Sequence, residues 1–187
     1  MSTIFSHPAV PLAIGLALGQ KTIPRSLLAI GAFCAILPDF DSISFAFGIP
    51  YESQFGHRGF THSVFFAACI AAFFAWRNHE FKADGAPVKR HIVFAYLFIS
   101  TVSHPLLDAL TDGGEGVAIW WPFSKDRFFF DDTPLPVCPI GQSFFSAAGY
   151  AALKAELTLI WLPALLLGLG GFSVRKILGR FTRTGGA

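Results

Sequence analysis

The sequence predicts an all-α membrane protein: a polytopic helical bundle of about five short spans with an irregular loop on its outer side. Hydrophobic residues make up 53% of the 187 residues and charged residues only 14%, and the mean hydropathy is +0.54. A water-soluble domain of this size leaves roughly a third of its unfolded surface exposed to water, so it cannot bury so much apolar material. The apolar residues are also grouped into stretches without charge, as membrane spans are.

Five uncharged apolar stretches predict the spans, at residues 8–19, 26–38, 63–76, 92–107 and 157–172. The last two approach the ~20 residues that a membrane-crossing helix needs. The first three have only 12 to 14 residues, a length that also suits buried core helices or re-entrant segments. The first Lys is Lys21, so we do not expect the start to be a cleavable signal peptide, which begins with basic residues.

The charged residues divide between alternate connections. Residues 20–25, 77–91 and 173–187 hold ten Lys and Arg against two acidic residues, whereas the other connections hold four against ten. Lys and Arg accumulate on the cytoplasmic side of membrane proteins. The alternation therefore predicts five crossings of a bacterial-type inner (plasma) membrane, with the N-terminus outside and the C-terminus in the cytoplasm.

The chain is predicted to form one membrane domain, residues 1–174, followed by a basic cytoplasmic tail, residues 175–187. The outer segment 109–150 is rich in Gly, Pro and aromatic residues, which predicts an irregular loop that lies on the membrane surface and roofs a site. A net charge of +2 does not suggest a nucleic-acid partner. Three Cys cannot all pair within the chain, which excludes a disulfide-stapled fold.

Two short motifs on the predicted outer side bring potential metal ligands together. HPLLD places His104 and Asp108 four residues apart, so on a helix both side chains share a face and can reach one ion. In LPDFDS, Asp39 and Asp41 flank Phe40, and in an extended segment both carboxylates would point the same way.

A third motif, HRGFTHS, adds two imidazoles just before the third span, with Thr61 or Ser63 as the expected helix cap. Its Arg58 supplies a bidentate donor suited to a phosphate oxygen. Ionisable groups at the ends of membrane helices are costly to insert into the membrane. The His and Asp side chains of the three motifs are therefore expected to be stabilised by a bound partner such as a metal ion. The predicted metal ligands are His7, Asp39, Asp41, His57, His62, His104 and Asp108.

Four imidazoles and three carboxylates suit zinc, with manganese or iron as alternatives, better than calcium, which prefers oxygen ligands alone. Seven ligands are too many for one ion and enough for two. Two neighbouring divalent ions promote hydrolysis of a phosphoester. We therefore expect a hydrolase that acts on a lipid or lipid-linked phosphoester, with Arg58 as hydrogen-bond donor to the phosphate. Glu156, at the mouth of the fifth span, is the preferred carboxylate to complete a metal shell or to act as general base.

The motifs LPDFDS, HRGFTHS and SHPLLDALTDGG, with HP near the start and a later WPF, resemble the YdjM-like family of membrane-bound, metal-dependent hydrolases. The resemblance covers roughly residues 5 to 172. It implies an all-helical membrane protein with a proposed relation to zinc-dependent phospholipase C. The metal ligands that the resemblance implies are Asp39, Asp41, His57, His62, His104 and Asp108, together with His7. It does not define the substrate.

Two other functions remain open at this stage. A protein that transports or merely binds a metal ion would use the same ligands without hydrolysis. A transporter should have ligands near mid-membrane and on both faces, whereas the inner connections here contain only His79 and His91. An intramembrane zinc protease is less well supported, because the sequence contains no HExxH motif.

Overall fold

The computed structural model describes residues 2–139 and 141–184. These residues are mostly helical, which confirms the predicted all-α membrane bundle. The α-helices are α1 (Ala9–Leu18), α2 (Arg25–Ile36), α3 (Val64–Trp76), α4 (Arg90–Ala109), α5 (Ala147–Glu156) and α6 (Leu162–Thr184). Shorter elements are the 3-10 helices Leu37–Phe47, Phe60–His62, Asn78–Glu80 and Gly141–Phe145, the π-helical turn Leu157–Trp161, and a hairpin of β1 (Lys82–Ala83) and β2 (Ala86–Pro87).

Each of the five predicted spans forms a helix. Three helical stretches of the described chain are long and apolar enough to cross a membrane, namely Arg25–Phe47, Arg90–Ala109 and Ala147–Arg180. The helices α1 and α3 are apolar but shorter. The second span reaches its length because the 3-10 helix continues directly from α2.

The fifth span begins ten residues earlier than the predicted residue 157, because α5 leads into α6 through the π-helical turn. The hydroxyl of Ser146 caps α5 by accepting from the backbone N–H of Gly149. Lys154 and Glu156 carry charge, so a pattern of uncharged residues does not predict α5. Residues 175–184 of the predicted tail continue α6, and residues 185–187 lie outside the described part of the chain.

Helix α4 lies at the centre of the bundle and packs on α2 and α3, while α1 packs mainly on α6. Small residues allow this close approach, as is usual between membrane helices. A Cβ atom added to Gly31 of α2 would lie 2.4 Å from the ring of Tyr96 on α4. The Tyr96 hydroxyl donates to the carbonyl of Pro11, which links α4 to α1.

The connection between α4 and α5 is irregular, as predicted. Isolated bridges pair Thr111 with Leu135 and Val117 with Phe128. Arg127 ties this loop to the segment before α3, because its guanidinium donates to several backbone carbonyls there, among them that of His57. The loop is therefore held against the end of the bundle where α4 finishes.

Candidate metal centre

Polar side chains from separate segments meet at one end of the helix bundle. The segments are the chain before α1, the 3-10 helix after α2, the turn before α3 and the last turns of α4. The side chains that meet there, all of them buried, are His7, Asp39, Asp41, His57, His62, His104 and Asp108. The fold thus gathers all the predicted ligands in one region, although the chain separates them widely.

Four of these side chains form a compact group, which we call the metal group: Asp39, His62, His104 and Asp108. The Nε2 atoms of His62 and His104 lie 3.1 Å apart. Asp39 Oδ1 lies 3.3 Å from His104 Nε2 and 3.8 Å from His62 Nε2. Asp108 Oδ2 lies 3.6 Å from His62 Nε2 and 3.8 Å from His104 Nε2.

The spacing of the metal group suits a tetrahedral ion. Ligand atoms bound to zinc stand roughly 3.3 to 3.6 Å from one another, given bonds of about 2.0 to 2.2 Å. Neither carboxylate oxygen of Asp39 has a hydrogen-bond partner among the described residues. Buried acceptors without a partner are costly, and two imidazole nitrogens that face each other need a proton or a cation between them. The side chains of the metal group therefore fit a bound divalent ion.

The orientation of His104 leaves one ring nitrogen available to an ion. Its Nδ1 lies 2.7 Å from the carbonyl oxygen of Ala35. A carbonyl only accepts, so Nδ1 carries the proton and Nε2 presents its lone pair to the metal group. The ring of His7 stacks on that of His104, with centroids 3.6 Å apart, and restricts its rotation.

His62 is surrounded by carboxylates. Burial by itself lowers the pKa of His62, but Asp108, Asp39 and Asp41 outweigh it and raise the pKa to about 10. The centre therefore favours a positive charge at the position of this ring. The turn that presents His62 ends where Ser63 caps α3 by accepting from the N–H of Phe66, which confirms the predicted cap.

Asp41 lies on the other side of the His62 ring from the metal group. Its Oδ1 is 2.6 Å from Nδ1 of His57, and its Oδ2 is 3.1 Å from Nδ1 of His62. Oδ2 also accepts from the backbone N–H of Arg58 and the hydroxyl of Thr61. Asp41, His57 and His62 form a second group that could hold an ion, but its carboxylate is already fully hydrogen-bonded.

The predicted extended conformation of LPDFDS is wrong. Pro38 lies at the start of a 3-10 helix, so Asp39 and Asp41 are not on one face of a strand. Proline favours the first turn of a helix because its φ angle is already suitable and its missing N–H would have no partner there. As a result the two carboxylates reach different nitrogens of the same imidazole, that of His62.

His7 completes the centre on its remaining side. Its Nε2 lies 3.9 Å from Asp39 Oδ2 and 3.9 Å from Asp108 Oδ1, the carboxylate oxygens that do not form the metal group. Burial and the neighbouring His104 lower the pKa of His7 to about 3, despite the nearby carboxylates. His7 is therefore neutral near pH 7, which is the form that binds metal.

Arg58 is fully buried and faces protein groups. Its Nε lies 3.0 Å from Asp108 Oδ2, while its terminal nitrogens donate to the Gly113 carbonyl and the Thr111 hydroxyl. The two terminal contacts are hydrogen bonds, whereas the Nε contact is an ion pair without hydrogen-bond geometry. The backbone of Arg58 has a φ of 61°, unusual for a side chain of this size. Its predicted contact with a phosphate oxygen stays a prediction, whereas its charge stabilises the Asp108 carboxylate.

Glu156 lies outside both ligand groups and holds the N-terminal segment. Its carboxylate accepts from the backbone N–H of Thr3 at 2.5 Å, from the Thr3 hydroxyl, and from the Ser6 hydroxyl at 2.6 Å. The same segment touches the centre, because the N–H of Ser2 donates to Asp108 Oδ1 at 3.1 Å. Sequence reasoning missed Ser2, Thr3 and Ser6, since small polar residues near a terminus give no signal. The role of Glu156 as general base stays a prediction.

Replacing Glu156 with Ala is expected to release the N-terminal segment. The change leaves the Thr3 amide and two hydroxyls without their acceptor, a cost of about 1 to 3 kcal/mol. Hydrogen exchange should show faster exchange at the amides of Ser6 and His7 than in the unchanged protein. Glu80→Ala, an exposed carboxylate at the other end of the bundle, is the control. Equal exchange in all three proteins would contradict this role.

This fold and site define a class of protein: a helical membrane protein with a buried group of His and Asp residues that could hold a metal ion. The sequence profile of the YdjM inner membrane protein family matches residues 1–177, and the chain belongs to that family. The chain is 41% identical over 170 residues to the Inner membrane protein YbcI of Escherichia coli (strain K12), covering 89% of this chain and 95% of that relative. No solved structure matches. The family predicted from the motifs is therefore confirmed.

Proposed function

We propose that this protein is a membrane-embedded, metal-dependent hydrolase that acts on a phosphoester of a lipid or lipid-linked substrate. The supporting observation is the buried Asp39 carboxylate, whose oxygens lack hydrogen-bond partners in the described structure and face two imidazole Nε2 atoms. A bound divalent ion would neutralise this carboxylate. A mixed His and Asp shell is typical of hydrolytic metal sites, where an ion with four ligands can take a fifth in the transition state.

The metal group would hold the first ion, with zinc preferred and manganese or iron as alternatives. His7 and Asp39 would hold a second ion, because His7 Nε2 and Asp39 Oδ2 lie 3.9 Å apart and this oxygen has no hydrogen-bond partner in the described structure. The ion would displace the Ser2 hydroxyl, which lies 3.1 Å from His7 Nε2. The group of Asp41 and His57 is a poorer choice, since Asp41 is already satisfied. Such ions would supply a water of lowered pKa and would polarise a phosphoryl oxygen.

The surrounding residues position the ligands. Asp41 orients His62 through Nδ1, and the Ala35 carbonyl does the same for His104. Hydrogen bonds to the second nitrogen of a ligating His typically strengthen metal affinity by 10- to 100-fold. Arg58 holds Asp108 and adds a buried positive charge beside the centre. That charge would also favour an anionic phosphoester over a neutral ester.

The hydrolase is testable with purified protein in amphipol, loaded with zinc, manganese or iron. We expect hydrolysis of bis(4-nitrophenyl) phosphate and of a phospholipid, and no hydrolysis of a matched 4-nitrophenyl amide. Metal bound in stoichiometric amount with no ester hydrolysed would contradict the proposal. If the protein then moved the ion into sealed vesicles, a transport function would replace it.

We further propose that the metal centre faces the outside of the inner membrane, as the charge distribution predicts. In a variant lacking Cys69 and Cys138, a Cys at the exposed position of Lys125 should react with an impermeant maleimide in intact cells. A Cys at the exposed position of Ala86, in the β1–β2 hairpin, should react only after the cells are lysed. The reverse pattern would place the centre in the cytoplasm.

A further inference from the structure

A cleft of about 480 Å³ opens directly beside the metal group. Ligand sites in proteins commonly have volumes of about 300 to 1,000 Å³. Asp39 lines the cleft, so a molecule bound there would lie against a side chain of the metal group. Ser2 and Thr3 also line it; Ser2 donates to Asp108 of the metal group, and Thr3 donates to Glu156.

The rest of the cleft is mainly apolar. The apolar lining residues are Ile4, Phe5, Phe40, Cys138, Pro139, Phe144 and Phe145. Three of these aromatic side chains remain largely exposed, with Phe145 at 89%, Phe5 at 67% and Phe40 at 50% exposure. In a membrane protein such exposed aromatic groups are suited to hydrocarbon and to the interface rather than to water.

The cleft therefore combines polar groups at the metal centre with an apolar, aromatic remainder that opens to the surroundings. An amphiphile with an anionic head and a hydrocarbon chain has the same division. We propose that the cleft binds the hydrocarbon chain of the substrate, with the phosphoester head at Asp39. This inference rests on the proposed function, because it assumes that the metal centre acts on the head group.

A second copy of the chain is a less suitable occupant. The cleft ends at a buried carboxylate without a hydrogen-bond partner in the described structure. A protein side chain that filled the cleft would separate that carboxylate from any substrate. A hydrocarbon chain instead leaves the head group free to reach the centre.

Binding can be measured without catalysis through Cys138, a free and buried thiol that lines the cleft. The full chain in amphipol is used with Cys69 replaced by Ala, because Cys69 is exposed and Cys34 is buried in the helix core. We expect n-dodecyl phosphate to slow alkylation of Cys138 by N-ethylmaleimide by roughly ten-fold. Butyl phosphate and inorganic phosphate at the same concentration should have no effect, because they lack a chain that buries apolar surface.

A pair of matched variants separates the cleft from general hydrophobicity. Phe145 lines the cleft, whereas Phe123 does not, and each is 89% exposed. With 4-nitrophenyl phosphodiesters that carry a butyl or a dodecyl group, kcat/KM should be higher for the dodecyl ester by roughly ten-fold or more, since burying about two additional CH₂ groups already gives ten-fold. Phe145→Ser should reduce this ratio, and Phe123→Ser should leave it unchanged.

The outcomes distinguish the cleft from the hydrolase. If both esters were hydrolysed equally and dodecyl phosphate did not protect Cys138, the cleft would not bind the hydrocarbon chain, but the proposed hydrolase function would be supported. Protection of Cys138 with no hydrolysis of either ester would support the cleft and contradict the hydrolase. Protection that depended on protein concentration and needed no amphiphile would identify a second copy as the occupant and overturn the proposal.

Discussion

Replacement of His104 by Ala is expected to lower zinc affinity by more than about a hundred-fold. His104 Nε2 lies within 4 Å of the other three ligand atoms of the metal group. Loss of a group that only orients a ligand typically costs 10- to 100-fold in metal affinity, so loss of the ligand itself should cost more. Metal content after dialysis, together with competition against a chromogenic chelator, measures the effect.

The control is His91→Ala, which removes an exposed imidazole from the same helix, α4. Its metal content should equal that of the unchanged protein. Asp41→Ala should lower zinc affinity by an intermediate factor of about 10- to 100-fold, because Asp41 orients His62 but does not belong to the metal group. Full metal content in the His104 variant would rule out the metal group as the primary site.

Removal of the metal with EDTA is expected to lower the Tm by about 5 to 10 °C. A ligand at a hundred times its Kd contributes about 2.7 kcal/mol to stability, and each kcal/mol corresponds to about 2 to 4 °C for a chain of this size. The structural reason is the buried Asp39 and Asp108 carboxylates, which lose the cation between them. Thermal unfolding of the protein in amphipol, before and after chelation, measures the shift.

The His104→Ala variant serves here as the comparison, because it should bind little metal from the outset. Its Tm should not respond to EDTA, and adding zinc back should raise the Tm of the unchanged protein only. An equal fall in both proteins would show that EDTA acts elsewhere in the molecule. No fall in either would contradict a stabilising ion at the metal group.

The candidate residues of the site were largely predictable, whereas their arrangement was not. The motifs identified each of the four residues of the metal group, and the four-residue spacing of His104 and Asp108 placed both on one face of α4, as observed. The geometry around Asp39 and Asp41 was predicted wrongly, because a pattern of alternating residues does not distinguish a strand from a 3-10 helix. Only the tertiary structure shows that these two carboxylates lie near different nitrogens of the His62 ring.

The contacts of Arg58 and Glu156 show the same limit. Arg58 was predicted to bind the substrate phosphate, and Glu156 to complete a metal shell or act as general base. In the structure Arg58 contacts Asp108, and Glu156 contacts Thr3 and Ser6. Each contact joins residues more than forty positions apart, and no local pattern encodes such a pairing.

The sequence by itself determined that this is a helical membrane protein of the YdjM family, because hydropathy and short motifs are local properties of the chain. It also determined which imidazoles and carboxylates are available for a metal. The tertiary structure decided which of them face one another, how Asp41 and Arg58 support them, and that a cleft of about 480 Å³ opens beside Asp39. These features depend on how the ends of separate helices pack together. Packing brings together residues that are far apart along the chain, and local sequence patterns do not show which of them will meet.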